Sequence, residues 1–498
     1  SAYAVIVGGG AGGLLAAYKL AKEGKTPLLL EKGPSCASSN LANLSGPAAC
    51  NTSNQKASGI TIATERALYD HYVEWARGSA NTKLLKNLLS NSTEAFESLV
   101  DCGLHFYNYV EYTGDPQYGE SLKWAPLHNF VEVGEERIQP IVSAIEAMGG
   151  SFIYNCEATE VVLEDGVVAG VKAIRDNNTV LSIATKAVFL ATGGFGASEE
   201  MIHDRFLGVP LVNMGTPTNS GDGIRMALWA GAELEAGGAC MIWNRAILPD
   251  GFEFNEDRMG GDIFLPGSQP FLHVNVNGER FMNEDQCYPM SYAAGANQPK
   301  HYSWIVWDGN YWDDIAQFDT CGCSRLYPAP SGTAFNADVY DCEAMSKEHL
   351  DEFWLNPRLE AGTLKKADTL EALADMMEFD ADQKATFLAT VERYNGLVAA
   401  GEDTDFGKPA YRLSDVETAP FFAARIGGEL LVTIHGVITD VNSQPLKNDG
   451  TPIEGLYVCG NDQGGFYPHN YPSNFTGINA GRVATFARIA AKHALGVE

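Results

Sequence analysis

Three short segments hold residue types whose spacing could do chemistry. The first is Gly8-Gly9-Gly10-Ala11-Gly12-Gly13, which satisfies G-x-G-x-x-G at Gly8, Gly10 and Gly13, with Glu31 placed 18 residues after Gly13. Glycines at those positions permit a tight turn, let the backbone approach a pyrophosphate, and allow a helix to pack closely on a strand. The second is Asn461-Asp462, a polar pair closing the apolar run Leu456-Tyr-Val-Cys459. The third is Phe466-Tyr-Pro-His-Asn-Tyr-Pro472, which concentrates phenols and an imidazole able to move a proton.

These residues need elements to position them. Tyr3 to Val7 is an apolar run that reads as a buried parallel strand, and Leu14 to Glu23 as an amphipathic helix ending at Gly24. Pro27 to Leu30 is a second strand that delivers Glu31, whose carboxylate can accept hydrogen bonds from a ribose diol. Strand, glycine turn, helix, strand and acid in one βαβ unit indicate dinucleotide binding, with the helix N-terminus favouring the phosphates. The runs Val188 to Gly196, Ser220-Gly-Asp-Gly-Ile224 and Gly455 to Asp462, followed by a helix from about Ile478 to Ala494, point to FAD rather than NAD.

This set resembles the flavoprotein subunit family of fumarate reductases and succinate dehydrogenases. It is nearest in style to the soluble single-subunit branch with urocanate reductases, 3-ketosteroid dehydrogenases and gut-bacterial ene reductases. Besides the N-terminal motif, the resemblance rests on Glu31-Lys32 followed by Ser38-Ser39-Asn40 and Ser45-Gly46, on Ala191-Thr-Gly-Gly194, and on Ser220 to Gly223. Asn275-Val-Asn-Gly-Glu-Arg-Phe-Met-Asn-Glu284 and Thr485-Phe-Ala-Arg-Ile-Ala490 complete it.

The resemblance implies an α/β fold: a Rossmann-like FAD-binding domain over 1–237 and 431–498, with an inserted α+β capping domain over 238–430. It implies FAD held by Gly8, Gly10, Ala11, Gly12, Gly13, Glu31, Lys32, Ser38, Ser39, Asn40, Ser45, Gly46, Ala158, Ala191, Thr192, Gly193, Asp222, Asn461, Asp462, Gly477 and Ile478. Relatives that bind FAD covalently do so through an early histidine. The first histidine here is His71, so non-covalent FAD is expected.

Fumarate-reducing members grip two carboxylates with two histidines and an arginine, and protonate with a second arginine. Those positions fall at Trp243, near Gly267, at Leu431 or Val432, and at Asn474. Burying a dicarboxylate without cations would cost on the order of several kcal/mol, so a fumarate reductase is not expected. Trp243, Met241, Asn474 and His469 are expected to contact a more apolar, aromatic or steroid-sized substrate. Tyr471, His435 and Tyr467 are the candidate proton donors. The expected activity is an ene reductase, as in anaerobic respiration, with a ketosteroid-type dehydrogenase as the alternative. A non-catalytic flavin electron carrier is disfavoured by the large capping segment.

The 498 residues carry 34 Lys plus Arg against 63 Asp plus Glu, a net charge of −29. That balance argues against a nucleic-acid backbone or anionic membrane as the main partner. No apolar run of 18 residues appears, so no membrane span and a soluble protein are expected. The compartment is open; a start at Ser1 is compatible with an exported chain whose signal was removed. No C-x-x-C-H motif occurs, so electrons are expected from a separate haem, FMN or quinol-linked protein. Cys321, Cys323 and Cys342 lack C-x-x-C spacing and read as ordinary thiols, leaving no metal expected.

Overall fold

The computed structural model describes residues 2–57, 64–109, 111–113, 122–124, 127–206, 211–237, 240–254, 262–318, 320, 326, 334–335, 346–468, 470–472 and 475–497. His469, Asn474, Cys321, Cys323 and Cys342 lie outside the described residues.

The chain opens with β1 (Ala4–Val7), α1 (Ala11–Lys22) and β2 (Pro27–Leu30), then α2 (Glu65–Trp75) and α3 (Thr82–Asp101). Next come β3 (Ser151–Ile153), the antiparallel strands β4 (Cys156–Glu164), β5 (Val167–Arg175) and β6 (Thr179–Ala184), and β7 (Val188–Leu190). A short β8 (Val212–Asn213) and α4 (Asp222–Trp229) lead into β9 (Cys240–Ile247), β10 (Asp262–Ile263) and β11 (Leu272–Val274). After α5 (Tyr288–Ala296) come β12 (Ser303–Trp307), β13 (Leu364–Ala367), α6 (Leu370–Met376), α7 (Ala381–Ala400) and β14 (Phe421–Thr433). The chain closes with β15 (Leu456–Val458) and α8 (Ile478–Leu495).

A five-stranded parallel sheet runs in the order β15-β7-β1-β2-β3. Side chains alternate across it: Ala4 and Ile6 join the core under α1 and α8, while Val5 and Val7 join the core beneath the β4–β6 sheet. Burial on both faces explains why β1 and β2 are apolar runs with no polar alternation. The β4–β5 hairpin turns through Asp165 and Gly166, both at positive φ, as a two-residue I′ turn requires.

The second large sheet has the order β10-β9-β14-β12-β11, with β8 and β13 also pairing to β14. Apart from β8, its strands come from the segment expected to form the capping domain and its border. Its strands overlap the expected divisions at 237/238 and 430/431: β8 pairs with Glu429 and Leu430, and β14 runs on to Thr433. β14 is a thirteen-residue strand at the centre of this sheet, and position 430/431 lies within its ladder. Among the described residues, no helix is long and apolar enough to cross a membrane.

The Asn275–Glu284 stretch anchors the cap through charge. The Arg280 guanidinium reaches Glu284 and Asp403, each at 2.8 Å, and Lys408 lies 3.3 Å from Glu284. Glu284 and Asp403 have no exposed side-chain surface. Arg280 and Lys408 hold the Glu284 carboxyl below its usual range despite burial. Removing one partner of such a network leaves buried charge uncompensated. Arg280→Met is therefore expected to cost about 3–5 kcal/mol, read as a lower denaturant midpoint; an unchanged midpoint would contradict this assignment.

Candidate active site

The glycine turn is built from backbone collisions that only glycine avoids. A Cβ on Gly13 would sit 1.9 Å from the Gly8 carbonyl oxygen, so helix α1 packs onto the strand end as expected. Gly10 is different. A Cβ there would meet nothing nearer than Ser39 Cβ at 3.7 Å. The protein itself does not need that space, so the opening suits a ligand. Gly10 caps α1 with no side-chain hydrogen bond and no acid in the first turn, which leaves its N–H groups for an anion.

Glu31 is buried at the end of β2 and accepts from the Gly9 and Gly33 N–H groups, each at 2.6 Å. Burial raises its pKa and these two donors oppose that shift. A carboxylate has about four acceptor positions, so capacity for a ribose diol remains. Lys32 lies beside it and bonds Ser220 and Asp222 at 3.0 Å and Glu157 at 2.9 Å.

The remaining expected cofactor residues join the same region. Ser38 lies against Gly33, and Ser39 Oγ donates to the Cys36 carbonyl. Asn40 accepts from Thr216 N–H at 2.9 Å, and its own buried amide nitrogen has no partner among the described residues. That orphaned donor is a second sign of a missing ligand group. Ser45 and Gly46 run beside the 128–130 backbone, where a Cβ on Gly46 would reach 1.7 Å from the His128 oxygen. Gly477, at φ +79°, begins α8 against Gly46 and Ala48, with Ile478 fully buried behind it. Ala158 sits buried at a bulge in β4.

Asp462 closes the site. Its fully buried carboxylate accepts from Thr192 N–H at 2.6 Å, from Gly194 N–H at 2.8 Å and from the Thr192 hydroxyl. Thr192 Oγ1 in turn accepts from Gly223 N–H, so one carboxylate ties together the Ala191–Gly194 turn, the start of α4 and the end of β15. Gly193 takes φ +91° in that turn. Burial pushes Asp462 up to about 6, against the pull of its donors. The open Gly10 cradle, the uncapped helix and the orphaned Asn40 amide fit an extended dinucleotide.

The aromatic residues gather on the other side. Met241, Trp243, Val432, Ile434, Tyr467, Tyr471 and Phe475 form one buried cluster, with Tyr72 and Trp75 behind them. The Tyr467 and Tyr471 rings are 5.9 Å apart, and Trp243 meets Tyr288 edge-on at 5.8 Å. Tyr467 donates to Asn479 Oδ1 at 3.2 Å, and burial raises its pKa well above the phenol range.

His435, the third candidate proton donor, follows Ile434 of this cluster and stands beside Phe195 and Phe206. Just past the end of β14, Ile434 packs in the cluster with the tyrosines, and the His435 ring is 6.2 Å from Phe195 and 6.4 Å from Phe206. Burial, with the Arg205 charge, lowers its pKa to about 4, so it is neutral near pH 7.

Three groups escaped the sequence reading. Arg482, one turn into α8, is fully buried and donates to Asn461, Gln463 and Asn479. Arg245 lies over the Trp243 ring at 3.5 Å, and Glu429 lies 3.5 Å from Arg245 Nε. Arg245 is the extra residue of a β-bulge, between Asn244 opposite Gly428 and Ala246 opposite Gly427, and from there its guanidinium reaches the Trp243 ring. Only the β9–β14 register shows that Glu429 stands opposite Trp243.

The profile of the FAD binding domain family matches residues 4–474. The chain is 28% identical over 503 residues to vinyl phenol reductase of Lactiplantibacillus plantarum, covering 98% of this chain and 95% of that one. It is 29% identical over 398 residues to 3-oxosteroid 1-dehydrogenase of Mycolicibacterium smegmatis, covering 73% of this chain and 62% of that one. In fold it resembles the open conformation of a flavocytochrome c3 fumarate reductase, with a TM-score of 0.74 at 24% identity over 99% of this chain and 78% of that one. The chain belongs to the FAD binding domain family, as an FAD-dependent oxidoreductase of the fumarate reductase and succinate dehydrogenase flavoprotein type.

Asp462→Ala leaves two buried N–H groups without an acceptor, at about 1–3 kcal/mol each; FAD retention through gel filtration is expected to fall at least tenfold. Asp462→Asn tests the charge. Because the folded pKa is raised from 3.8 to about 6, the acid contributes stability below pH 4 that is lost as pH rises through 6. Apoprotein denaturation from pH 4 to 7 should show wild type losing stability relative to Asp462→Asn, then levelling off.

Proposed function

We propose that this protein reduces the carbon–carbon double bond of an apolar, aromatic or steroid-sized alkene conjugated to a carbonyl, carboxyl or phenol group. Bound non-covalently, FAD supplies the hydride when reduced. The observation that carries the reading is the cluster of Met241, Trp243, Tyr467, Tyr471 and Phe475 beside the FAD residues. The resemblance to vinyl phenol reductase over almost the whole of both chains supports it.

The chain's own residues have three tasks. The aromatic walls hold a flat substrate and exclude water. The cap sheet, through Trp243 and Leu431, takes positions where fumarate-reducing relatives carry histidines, so fumarate is a poor substrate. Tyr471 delivers a proton to the carbon that does not receive hydride. Tyr467, engaged with Asn479, supports the pocket. His435 is left out of the proton path. Electrons come from a separate haem, FMN or quinol-linked donor.

A ketosteroid-type dehydrogenase is the second reading, favoured by Tyr471-Pro472 and by the resemblance to 3-oxosteroid 1-dehydrogenase. The test is anaerobic. The flavin is reduced chemically, then mixed with aryl enoates, enones, a vinyl phenol, Δ4-steroids and fumarate, following its oxidised absorbance band. Fast reoxidation by an apolar alkene with fumarate inert is the expected result. Fast reoxidation by fumarate would overturn it. If every alkene is inert and saturated ketosteroids bleach the oxidised enzyme, the dehydrogenase reading takes its place. Tyr471→Phe should lower the reoxidation rate by about 10²–10⁴-fold with flavin content unchanged.

A further inference from the structure

Glu429 has no exposed surface, and neither of its carboxylate oxygens has a hydrogen-bond partner among the described residues. A buried carboxylate in that state is costly. Its nearest charge is Arg245, 3.5 Å away as an ion pair. Arg245 lies on the face of Trp243. Trp243 and Glu429 are direct cross-strand partners of β9 and β14, so their side chains share a face of the cap sheet.

Trp243 belongs to the aromatic cluster with Tyr467, Tyr471 and Phe475. The cluster thus ends, on its cap side, in a polar terminus: an indole, a guanidinium stacked on it, and a carboxylate with free acceptor positions. Other described groups stand on the elements packed against this pair. From β8, Glu429 is paired with Val212, which is apolar. From β10 the charge of Asp262 acts against ionisation, and Asp262 is itself paired to Arg358. From α5, Tyr288 stands edge-on to Trp243. Burial, opposed by Arg245, pushes Glu429 up to about 7. A donor hydrogen bond from a ligand would favour the ionised form.

We propose that the Arg245–Glu429 pair is the specificity site for a phenol hydroxyl, with Glu429 accepting its hydrogen bond and Arg245 fixing the carboxylate over Trp243. The substrate class is then an alkene carried on a hydroxyphenyl ring, aligned with its hydroxyl against the cap and its double bond toward the flavin side. This rests on the ene reductase reading above and narrows it. It also accounts for a cation in a pocket that lacks the carboxylate-gripping set. Arg245 stands in an ion pair with Glu429, so a substrate carboxylate placed there would face the Glu429 charge as well.

The test is binding to the oxidised holoenzyme, followed by perturbation of the flavin absorbance band. The probes are 4-ethylphenol, 4-ethylanisole and ethylbenzene, which differ only at the hydroxyl position. Wild type is expected to bind 4-ethylphenol about tenfold to a hundredfold tighter than 4-ethylanisole, the range for a buried hydrogen bond to a charged group. In Glu429→Leu with full flavin content, the ratio should collapse toward one, and Glu429→Gln should retain part of it. A wild-type ratio near one overturns the proposal without any variant, as does an unchanged ratio in a flavin-loaded Glu429→Leu. The two readings fail separately. If aryl enoates reoxidise the reduced enzyme but the hydroxyl confers no affinity, only the phenol site falls. If no alkene reoxidises it, the ene reductase reading falls.

Discussion

The Asp462 carboxylate is the interaction on which the site depends. The nucleotide sheet is assembled from chain segments separated by the whole capping region: β1, β2, β3 and β7 precede it, and β15 follows it. Backbone ladders alone would align β15 beside β7. Asp462 does more, because its oxygens collect N–H groups from Thr192 and Gly194 while Thr192 carries the contact on to Gly223. A buried acid raised to about 6 by desolvation is an expensive device. It is tolerated because its acceptor positions hold the Ala191–Gly194 turn and, through the Thr192 hydroxyl, the start of α4.

Against that fixed half, the cap offers a surface of opposite character. Its anchor is ionic, with Arg280, Glu284, Asp403 and Lys408 buried together. Its pocket face is aromatic, with one internal ion pair at Arg245 and Glu429. The two ionic groups differ in how far they are satisfied. Asp403 accepts from Arg280 and from the backbone N–H groups of Asp405, Phe406 and Lys408, whereas Glu429 accepts none among the described residues. A satisfied network rigidifies, and an unpaired buried polar group is costly. The contrast separates a fully hydrogen-bonded charge cluster from a buried ion pair whose carboxylate has acceptor capacity to spare.

The proton-transfer groups show where adjacency in the chain misleads. Tyr467 and Tyr471 lie among aromatic residues in sequence and His435 among aliphatic ones, and all three side chains can carry a proton. Tyr467 and Tyr471 meet in one cluster because the segment after β15 folds back over α2 and α8. His435 follows Ile434 by one residue and stands in the company of Phe195 and Phe206.

The sequence by itself determined the nucleotide-binding half, because its signals are local. A glycine whose Cβ would strike the next turn, an acid at the end of a strand, and an apolar run buried on both faces are fixed by interactions within some thirty residues. The helix over Ile478–Leu495 and the hairpin at Asp165-Gly166 were legible for the same reason. Tertiary structure alone decided the pairing of distant charges. Whether Arg245 meets Glu429, whether Asp462 reaches Thr192, and which face His435 takes depend on strand register and crossover between segments far apart in the chain. A shift of one residue in register would exchange the faces of β9 and β14, and with them the polar end of the pocket.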